Sequence, residues 1–581
     1  PVKCELQQHT LCTKFHLIFS EDMIGCDCWY FDQLAESSFP DLTPFSLPAP
    51  LPQWPKGDGF ANGNICLGEL EVVKITTFRS VWTSKSTSKQ KGATFIKPTN
   101  IPDGIYSLGD SCHPSSSTFH GYALAVREIS DSNHLNHVNN NGNFSGLPAL
   151  KKPLKYTLIW SSDPKSNGPC FIWKPVAPQG YKVMGNVVSD SSEEPSTDEI
   201  RCVREDITES CEPSDLLLSL SSFQVWSTKP CFGGMHAKGV SVGTFCCSTS
   251  NKSEIEAYCL KNMDASLKSM PTVDQIHALI EAYGPTLYFH PEESFFPSSV
   301  QWFFKNGALL FQEGCKEGEP ISKGGSNLPT GGINDGYFWI DLPADEESRE
   351  MLKKGNLESS LLYVHVKPAI GGTFTDIAMW VFCPFNGPGT LKFGSVTIPM
   401  GRIGQHVGDW EHYTLRVCNF TGELWQLFCS EHSGGRWVDA SELEFAEDNK
   451  AAVYSSKHGH ASYPHPGTYL QGITKFGVGL RNDVDRSEFY IDSSRKYEVV
   501  SAEYLGEGVI EEPCWLHYMR EWGPTIVYNS RSEIDKLLQS LPFFIRFSVE
   551  NFIYMFPTEI YGEEGPTGPM EKDNWIGDEI C

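Results

Sequence analysis

The chain has 581 residues, 40% of them hydrophobic and 12% aromatic, enough for about two to four domains with sizeable cores. Its formal net charge is −26, which repels phosphate backbones, rules against nucleic acid as a partner and disfavours direct docking on anionic lipid. No run approaches ~18–20 apolar residues, so no transmembrane helix is expected; a divalent cation, or a neutral or sugar-headed lipid, would be needed to bring the chain to a membrane.

Residues 1–44 read as an N-terminal extension. PVKCELQQHTLCTKFHLIFSED carries a weak apolar patch, Phe15 to Phe19, without the apolar core or small-residue cleavage site of a signal peptide, and Met23 looks like a more natural start. The 19 cysteines are scattered, with no CxxC pair beside a zinc-site partner. They are expected to be mostly buried free thiols of a cytosolic protein. Sequons at Asn143, Asn251 and Asn419 do not by themselves establish secretion.

Residues 45–262 contain a repeat. VWTSKSTSKQKGATFIKPTNIPDGIYSLGD begins at Val81, IWSSDPKSNGPCFIWKPVAPQGYKVMGN at Ile159 and VWSTKPCFGGMHAKGVSVGTF at Val225. Each opens on a tryptophan (Trp82, Trp160, Trp226) and ends near a glycine (Gly109, Gly185, Gly243). A period of roughly 70–80 residues, repeated three times with strand-like composition, predicts a pseudo-threefold, β-prism-like domain that leaves few open sheet edges. The polar loops HLNHVNNNGNFSG and SDSSEEPSTDE separate the repeats and are expected to be mobile.

Residues 263–284 form the joint. TVDQIHALIEAYG has a capping-box spacing, Thr272 to Gln275, and apolar residues at Ile276, Leu279 and Ile280. From 285 to 560 the chain reads as a β-sandwich: SLLYVHVKPAI, FTDIAMWVFCPF, EHYTLRVCNF and ELWQLFCSEHSGG have strand composition, and NFTGELW a hairpin turn. A helix is expected in SRSEIDKLLQSL, and 561–581 as a Gly/Pro-rich acidic surface wrap. The fold class is therefore mainly β, with a few peripheral helices.

GQHVGDWEH, Gly404 to His412, concentrates ionisable groups. If Asp409 and Glu411 lie on a strand, their carboxylates share a face, while Trp410 and His412 point into the core. With His406 they make a compact N/O set for a divalent cation, Mg²⁺ or Ca²⁺. A hydrolytic acid/base site and a purely structural knot are the alternatives; no nucleophile elbow, P-loop or HExxH accompanies the cluster. His432 in SEHSGG, and His458, His460 and His465 in KHGHASYPHPGTY, sit in loops that could converge on it as ligand-binding groups, with Trp410 beside them. FHPEES reads as a turn next to a strand.

FSLPAPLPQWPKGDGF, DQIHALIEAYGPTLYFHPEE, GGTFTDIAMWVFCPFNG, GQHVGDWEHYTLR, YSSKHGHASYPHPGTYLQG and YGEEGPTGP resemble the plant vacuolar protein sorting 62-like family over nearly the whole chain. The repeat IWKPVAPQGYKVMGN is more weakly similar to adaptor-binding β-repeats of large vacuolar sorting and lipid-transfer proteins. WVFCPFNG followed by GQHVGDWEH is similar to NLP-type necrosis-inducing cytolysins, whose hallmark is G-H-R-H-D-W-E. That resemblance implies an actinoporin-like sandwich, a divalent cation held by His406, Asp409 and Glu411, and sphingolipid head groups as ligands. Its upstream aspartate falls near Asn386, so a carboxamide stands where the family has a carboxylate, and its second histidine is replaced by Gly408.

Together these readings predict a binding protein for membrane lipid or glycolipid head groups, cytoplasmic or peripheral to a membrane. It would act in trafficking or as a membrane-damaging defence or insecticidal toxin. The competing classes are a metal-assisted hydrolase using His406, Asp409 and Glu411, and an ion-free interaction scaffold.

Overall fold

The computed structural model describes residues 42, 44–84, 91–129, 146–163, 168–220, 223–248, 255–432, 434–473, 477–525, 539 and 565–580. The extension up to 41, Met23, the sequons at Asn143 and Asn251, most of the loop after His134 and all but one residue of SRSEIDKLLQSL lie outside them.

The first half is built from three equivalent units. Three antiparallel strands recur as Phe78–Thr83, Ala93–Pro98 and Ser111–Pro114, then Lys155–Ser161, Phe171–Val176 and Val187–Ser189. The third set is Thr208–Leu220, Phe223–Pro230 and Phe245–Ser248. Their inner faces meet in one core containing Trp82, Phe95, Ile172, Val188, Phe223, Val225 and Phe245, with Trp160 stacked on Phe223 at 4.9 Å. The repeat glycines lie where the units meet. A Cβ on Gly109 would come 3.1 Å from the Gly185 Cα, and one on Gly185 would come 2.5 Å from the Thr244 Cβ. Only a bare backbone allows that approach. The tryptophan correspondence needs one correction. Trp82 and Trp160 lie on the strand before the middle one, but Trp226 lies on the middle strand itself, beside Cys246. The strand that precedes it, Thr208–Leu220, runs 13 residues with two register shifts against its partner and carries no tryptophan. The loop SDSSEEPSTDE is tied down, since the Glu194 carboxylate accepts from the Tyr156 N–H at 2.7 Å.

The second half centres on a six-stranded sheet in the order Gly434–Asp439, Glu423–Glu431, His406–Cys418, Phe374–Asn386, Leu362–Ala369, Tyr497–Ser501. Every residue of Phe374–Asn386 and Leu362–Ala369 is buried. Both faces of the sheet are covered, so these strands read as apolar runs with only partial alternation. One face packs against helix Val273–Tyr283 and a second sheet made of Thr286–Tyr288, Phe445–Glu447, Lys450–Ser455, Ser462–Tyr463 and Tyr490–Asp492. The helix has its capping box, with the Thr272 side chain accepting from Gln275 N–H and the Gln275 side chain accepting from Thr272 N–H. It buries Ile276, Leu279, Ile280 and Tyr283 in that core, so it is a layer of the sandwich as well as a joint.

The opposite face is covered in part by residues 565–580, the segment expected at the surface. Trp575 is 2% exposed and stacks on His365 at 3.8 Å. The buried Lys367 ammonium donates to the Asn574 and Gly577 carbonyls. Asp578 accepts from Arg416, and Glu579 takes His412 at 2.9 Å and Thr414 at 2.6 Å. A strand face carrying Lys367, His412, Thr414 and Arg416 cannot meet an apolar layer, and this polar, tryptophan-bearing segment satisfies it.

The two halves share a further core, in which Phe374, Phe420 and Trp425 pack with Val72, Leu124, Val240 and Leu260. Residues 40–581 accordingly form one compact unit. Among the described residues the cysteines are free thiols, eight of them buried. The Asn419 sequon is fully buried with its carboxamide bonded to Gly372 and Thr375, so it offers no glycan acceptor in this fold.

Candidate functional site

Strand His406–Cys418 pairs antiparallel with Phe374–Asn386, which puts His406 opposite Asn386, Asp409 opposite Cys383 and Glu411 opposite Val381. Asp409 and Glu411 share one face, as their spacing requires. Trp410 lies on the other, among Trp515, Trp522 and Phe382 at ring separations of 5.3, 5.1 and 5.0 Å. The Trp410 indole N–H has no hydrogen-bond partner among the described residues. Gly408 has φ +66°, and a Cβ there would sit 2.3 Å from the Trp522 carbonyl oxygen. No side chain fits that position without moving the Trp522 backbone.

These strands end at a cavity of about 290 Å³. His406, Asp409, Trp410, Glu411, Asn386 and His432 all line it, with Gly459, Asn482, Arg481 and Lys457 from the facing strands and loops. Gly565, Pro566, Thr567 and Lys572 line it from the C-terminal segment. A second space of about 380 Å³ shares Trp410, Glu411, His432 and Lys572 and runs on towards His412 and Glu579. Asn386 and His406, distant in sequence, are direct cross-strand neighbours; the intervening residues form a small hairpin, Thr390–Phe393 with Val396–Pro399. Asn386 donates to the Gly387 and Gly404 carbonyls at the base of that hairpin.

Charge is unevenly distributed among these groups. The Asp409 carboxylate takes His460 Nδ1–H at 2.8 Å, and His460 Nε2–H donates to the Phe295 carbonyl at 2.8 Å. Burial acts to raise the Asp409 carboxyl, but the His460 hydrogen bond and the nearby imidazoles outweigh it and hold it below the usual range. Burial pulls His460 down, while Cys383 and Asp409 together hold it well above the usual imidazole range. The Cys383 thiol is itself pushed up to about 11 by burial, so at neutral pH Asp409 is the anion that keeps the His460 proton in place. Glu411 is raised to about 7, chiefly by burial and then by the Asp409 charge, although Ser430 Oγ–H donates to it at 2.7 Å. Burial lowers His406, whose Nδ1–H donates to the Gly408 carbonyl at 3.0 Å, so Nε2 carries a lone pair. Burial also lowers His432, whose Nε2–H donates to the Asn482 carboxamide oxygen at 2.9 Å.

The histidine loops converge on this region, each in a different role. His432 lines the cavity and His460 holds Asp409 behind it. His458 packs on Phe295, and its backbone N–H donates to the Glu293 carboxylate at 2.7 Å. His465 is exposed and away from the cavity lining. Cys383, Glu293, Asn482 and Lys572 were not anticipated. Glu293 had a signal in FHPEES, whose turn it closes by accepting from the Ser294 and Phe295 N–H groups. Among the described residues, three ligand atoms from Cys, His, Asp or Glu come within 4.8 Å of one another at Cys383, Asp409 and His460.

Among solved structures the chain is similar to GNIP1Aa from Chromobacterium piscinae, at 12% identity over 37% of this chain and 40% of that one, with a TM-score of 0.26. It is also similar to NLPPya in complex with glucosamine, at 12% identity over 45% of this chain and 89% of that one, with a TM-score of 0.19. Two Saccharomyces cerevisiae proteins align with this chain. Vacuolar protein sorting-associated protein 62 is 23% identical over 51% of this chain and 73% of its own length. The vacuolar protein sorting-associated protein TDA6 is 24% identical over 44% of this chain and 62% of its own length, so the chain spans less than two thirds of that relative. The family model of vacuolar protein sorting-associated protein 62 matches residues 41–579, which take in both the three-unit half and the cavity-bearing sandwich, and the chain belongs to the Vps62 family.

Proposed function

We propose that this chain is a peripheral vacuolar-sorting protein that binds the polar head group of a lipid or glycolipid in the cavity at the end of its six-stranded sheet. The observation that carries this reading is the cavity itself. It is closed on one side by the C-terminal segment and lined by carboxylate, imidazole and carboxamide groups over a tryptophan. Its volume of about 290 Å³ lies just below the usual range for ligand pockets, ~300–1,000 Å³, which suits a compact head group. Carboxylates and carboxamides are the acceptors that vicinal hydroxyls need, and Lys572 supplies a donor, while Lys457 and Arg481 are paired with Glu292 and Asp483. No helix among the described residues is long and apolar enough to cross a membrane, which fits peripheral binding.

A cation-assisted version has its own support. Asp409 and Glu411 share a face and line the cavity with His406, and a Mg²⁺ or Ca²⁺ ion there would bridge carboxylates to head-group oxygens. The hydrolase alternative, built on His406, Asp409 and Glu411, has less support, because the Asp409 carboxylate is already held by His460 and the Glu411 carboxylate accepts from Ser430.

Sedimentation with neutral and glycolipid-bearing vesicles, with and without EDTA, tests the proposal. Wild-type chain should co-sediment with one head-group class, and Asn482→Ala together with Glu411→Gln should reduce the bound fraction at least tenfold. Equal sedimentation of wild type and variant, or none with any vesicle, would defeat it. Release of an entrapped dye would shift the reading from trafficking to membrane damage.

A further inference from the structure

Behind the cavity wall, Cys383, Asp409 and His460 form a buried cluster whose ligand atoms lie within 4.8 Å of one another. Three elements bring them there: Cys383 and Asp409 face each other across paired strands, and His460 comes from the loop after Lys450–Ser455. That loop is held in an uncommon conformation. His458 and His460 have φ of +68° and +57°, on either side of Gly459. The Glu293 carboxylate anchors the His458 N–H, and the His460 N–H bonds back to the Ser456 carbonyl. Non-glycine residues in the left-handed region are strained and persist where the surroundings enforce them.

Two readings of the cluster as a reaction centre or a plain ion pair are less complete. A Cys–His nucleophile needs an imidazole lone pair to take the thiol proton. Here Nδ1 is engaged with Asp409 and Nε2 with the Phe295 carbonyl. A simple Asp–His pair leaves unexplained the fully buried Cys383 thiol, whose sulfur lies within 4.8 Å of the ligand atoms of both. The Phe295 carbonyl fixes Nε2 as the protonated nitrogen, and this is how metal-bound histidines are oriented by their surroundings.

We propose that Cys383, Asp409 and His460 Nδ1 are a binding site for a thiophilic divalent ion of the zinc type. Tetrahedral sites with ~2.0–2.3 Å bonds set their ligand atoms roughly 3.3–3.8 Å apart; here all three lie within 4.8 Å, and the Asp409–His460 pair, at 2.8 Å, would open as an ion replaces the shared proton. Thiolate with imidazole selects zinc-like ions over Mg²⁺ and Ca²⁺. On binding, two protons leave: one from the Cys383 thiol and one from His460 Nδ1. Asp409 also lines the cavity, so the fourth position can be supplied from that side. The proposal rests on the cluster alone and not on the head-group reading. It concerns a different ligand set from His406, Asp409 and Glu411.

Co²⁺ titration of the purified full chain, without lipid, provides the test. One equivalent of Co²⁺ should give a near-ultraviolet sulfur-to-cobalt charge-transfer band that Zn²⁺ displaces and millimolar Mg²⁺ or Ca²⁺ does not. Cys383→Ser should abolish the band while leaving the unfolding curve in place. Absence of a band in the wild type overturns the proposal, as does a band of equal strength in Cys383→Ser. Because Cys383→Ser is a buried change, X-ray absorption on the zinc-loaded wild type gives an independent measurement. One sulfur at about 2.3 Å is expected, and a shell with no sulfur, or with two or more, overturns the site. Vesicle binding that fails while the cobalt band forms would remove the head-group reading and keep this one.

Discussion

Glu411 shows how much one strand position can set. It faces Asp409 two residues away and shares its wall of the cavity, so the two carboxylates divide their protons unequally. Asp409 is ionised because His460 holds it, and Glu411 is raised to about 7 by burial and by the Asp409 charge. The sign of the consequence follows from linkage. An unfolded glutamate titrates near 4.5, so between about pH 4.5 and 7 the folded state binds more protons than the unfolded one, and stability falls as pH rises through that window. Glu411→Gln removes the effect and keeps an acceptor for Ser430. Denaturant unfolding from pH 5 to 8 should therefore show a flatter loss of stability in the variant than in the wild type. Parallel curves would mean that Glu411 is ionised throughout.

A polar strand face depends on the C-terminal segment, whose Glu579 accepts from His412 and Thr414. Burial acts to raise Glu579, but His412, Lys367 and Thr414 outweigh burial and lower it to about 2. Its contribution is present above about pH 4.5 and is lost as pH falls towards 2. Glu579→Gln should cost about 1.5–3 kcal/mol, the range for a hydrogen bond to a charged group. Hydrogen exchange should quicken over residues 565–580 before it does in strand Phe374–Asn386. Uniform exchange across both would show that the segment does not loosen separately. The same segment lines the cavity with Gly565, Pro566, Thr567 and Lys572, so loosening it would open one wall of the cavity.

Across the whole molecule, the three-unit half and the sandwich are joined through Trp425. Its ring lies 3.9 Å from that of His120, with the Lys74 ammonium 4.3 Å over it, in a core shared with Phe374 and Phe420. Two halves joined by so continuous an apolar core should unfold together. Calorimetry of the wild type should show one cooperative transition, and Trp425→Ala should cost about 3–5 kcal/mol, as for a large buried aromatic. Two separated transitions in the wild type would show that the halves are thermodynamically independent.

The sequence by itself determined the local patterns. Three repeats ending on Gly109, Gly185 and Gly243, the Thr272–Gln275 capping box, the strand carrying Asp409 and Glu411 on one face, and the Vps62 resemblance were all legible, because each depends on residues close together in the chain or on a long specific motif. The tertiary structure decided which of these meet. Strand pairing across an inserted hairpin set Asn386 beside His406 and Cys383 beside Asp409. A loop with left-handed backbone delivered His460, and a polar strand face drew in a tail that composition alone placed at the surface. Trp226 looked equivalent to Trp82 and Trp160 because a dipeptide repeats, whereas the pairing of strands assigns it to the next one. Periodicity records which way a side chain points, but partners fixed by long-range register and by the burial of charge become readable only once the chain is folded.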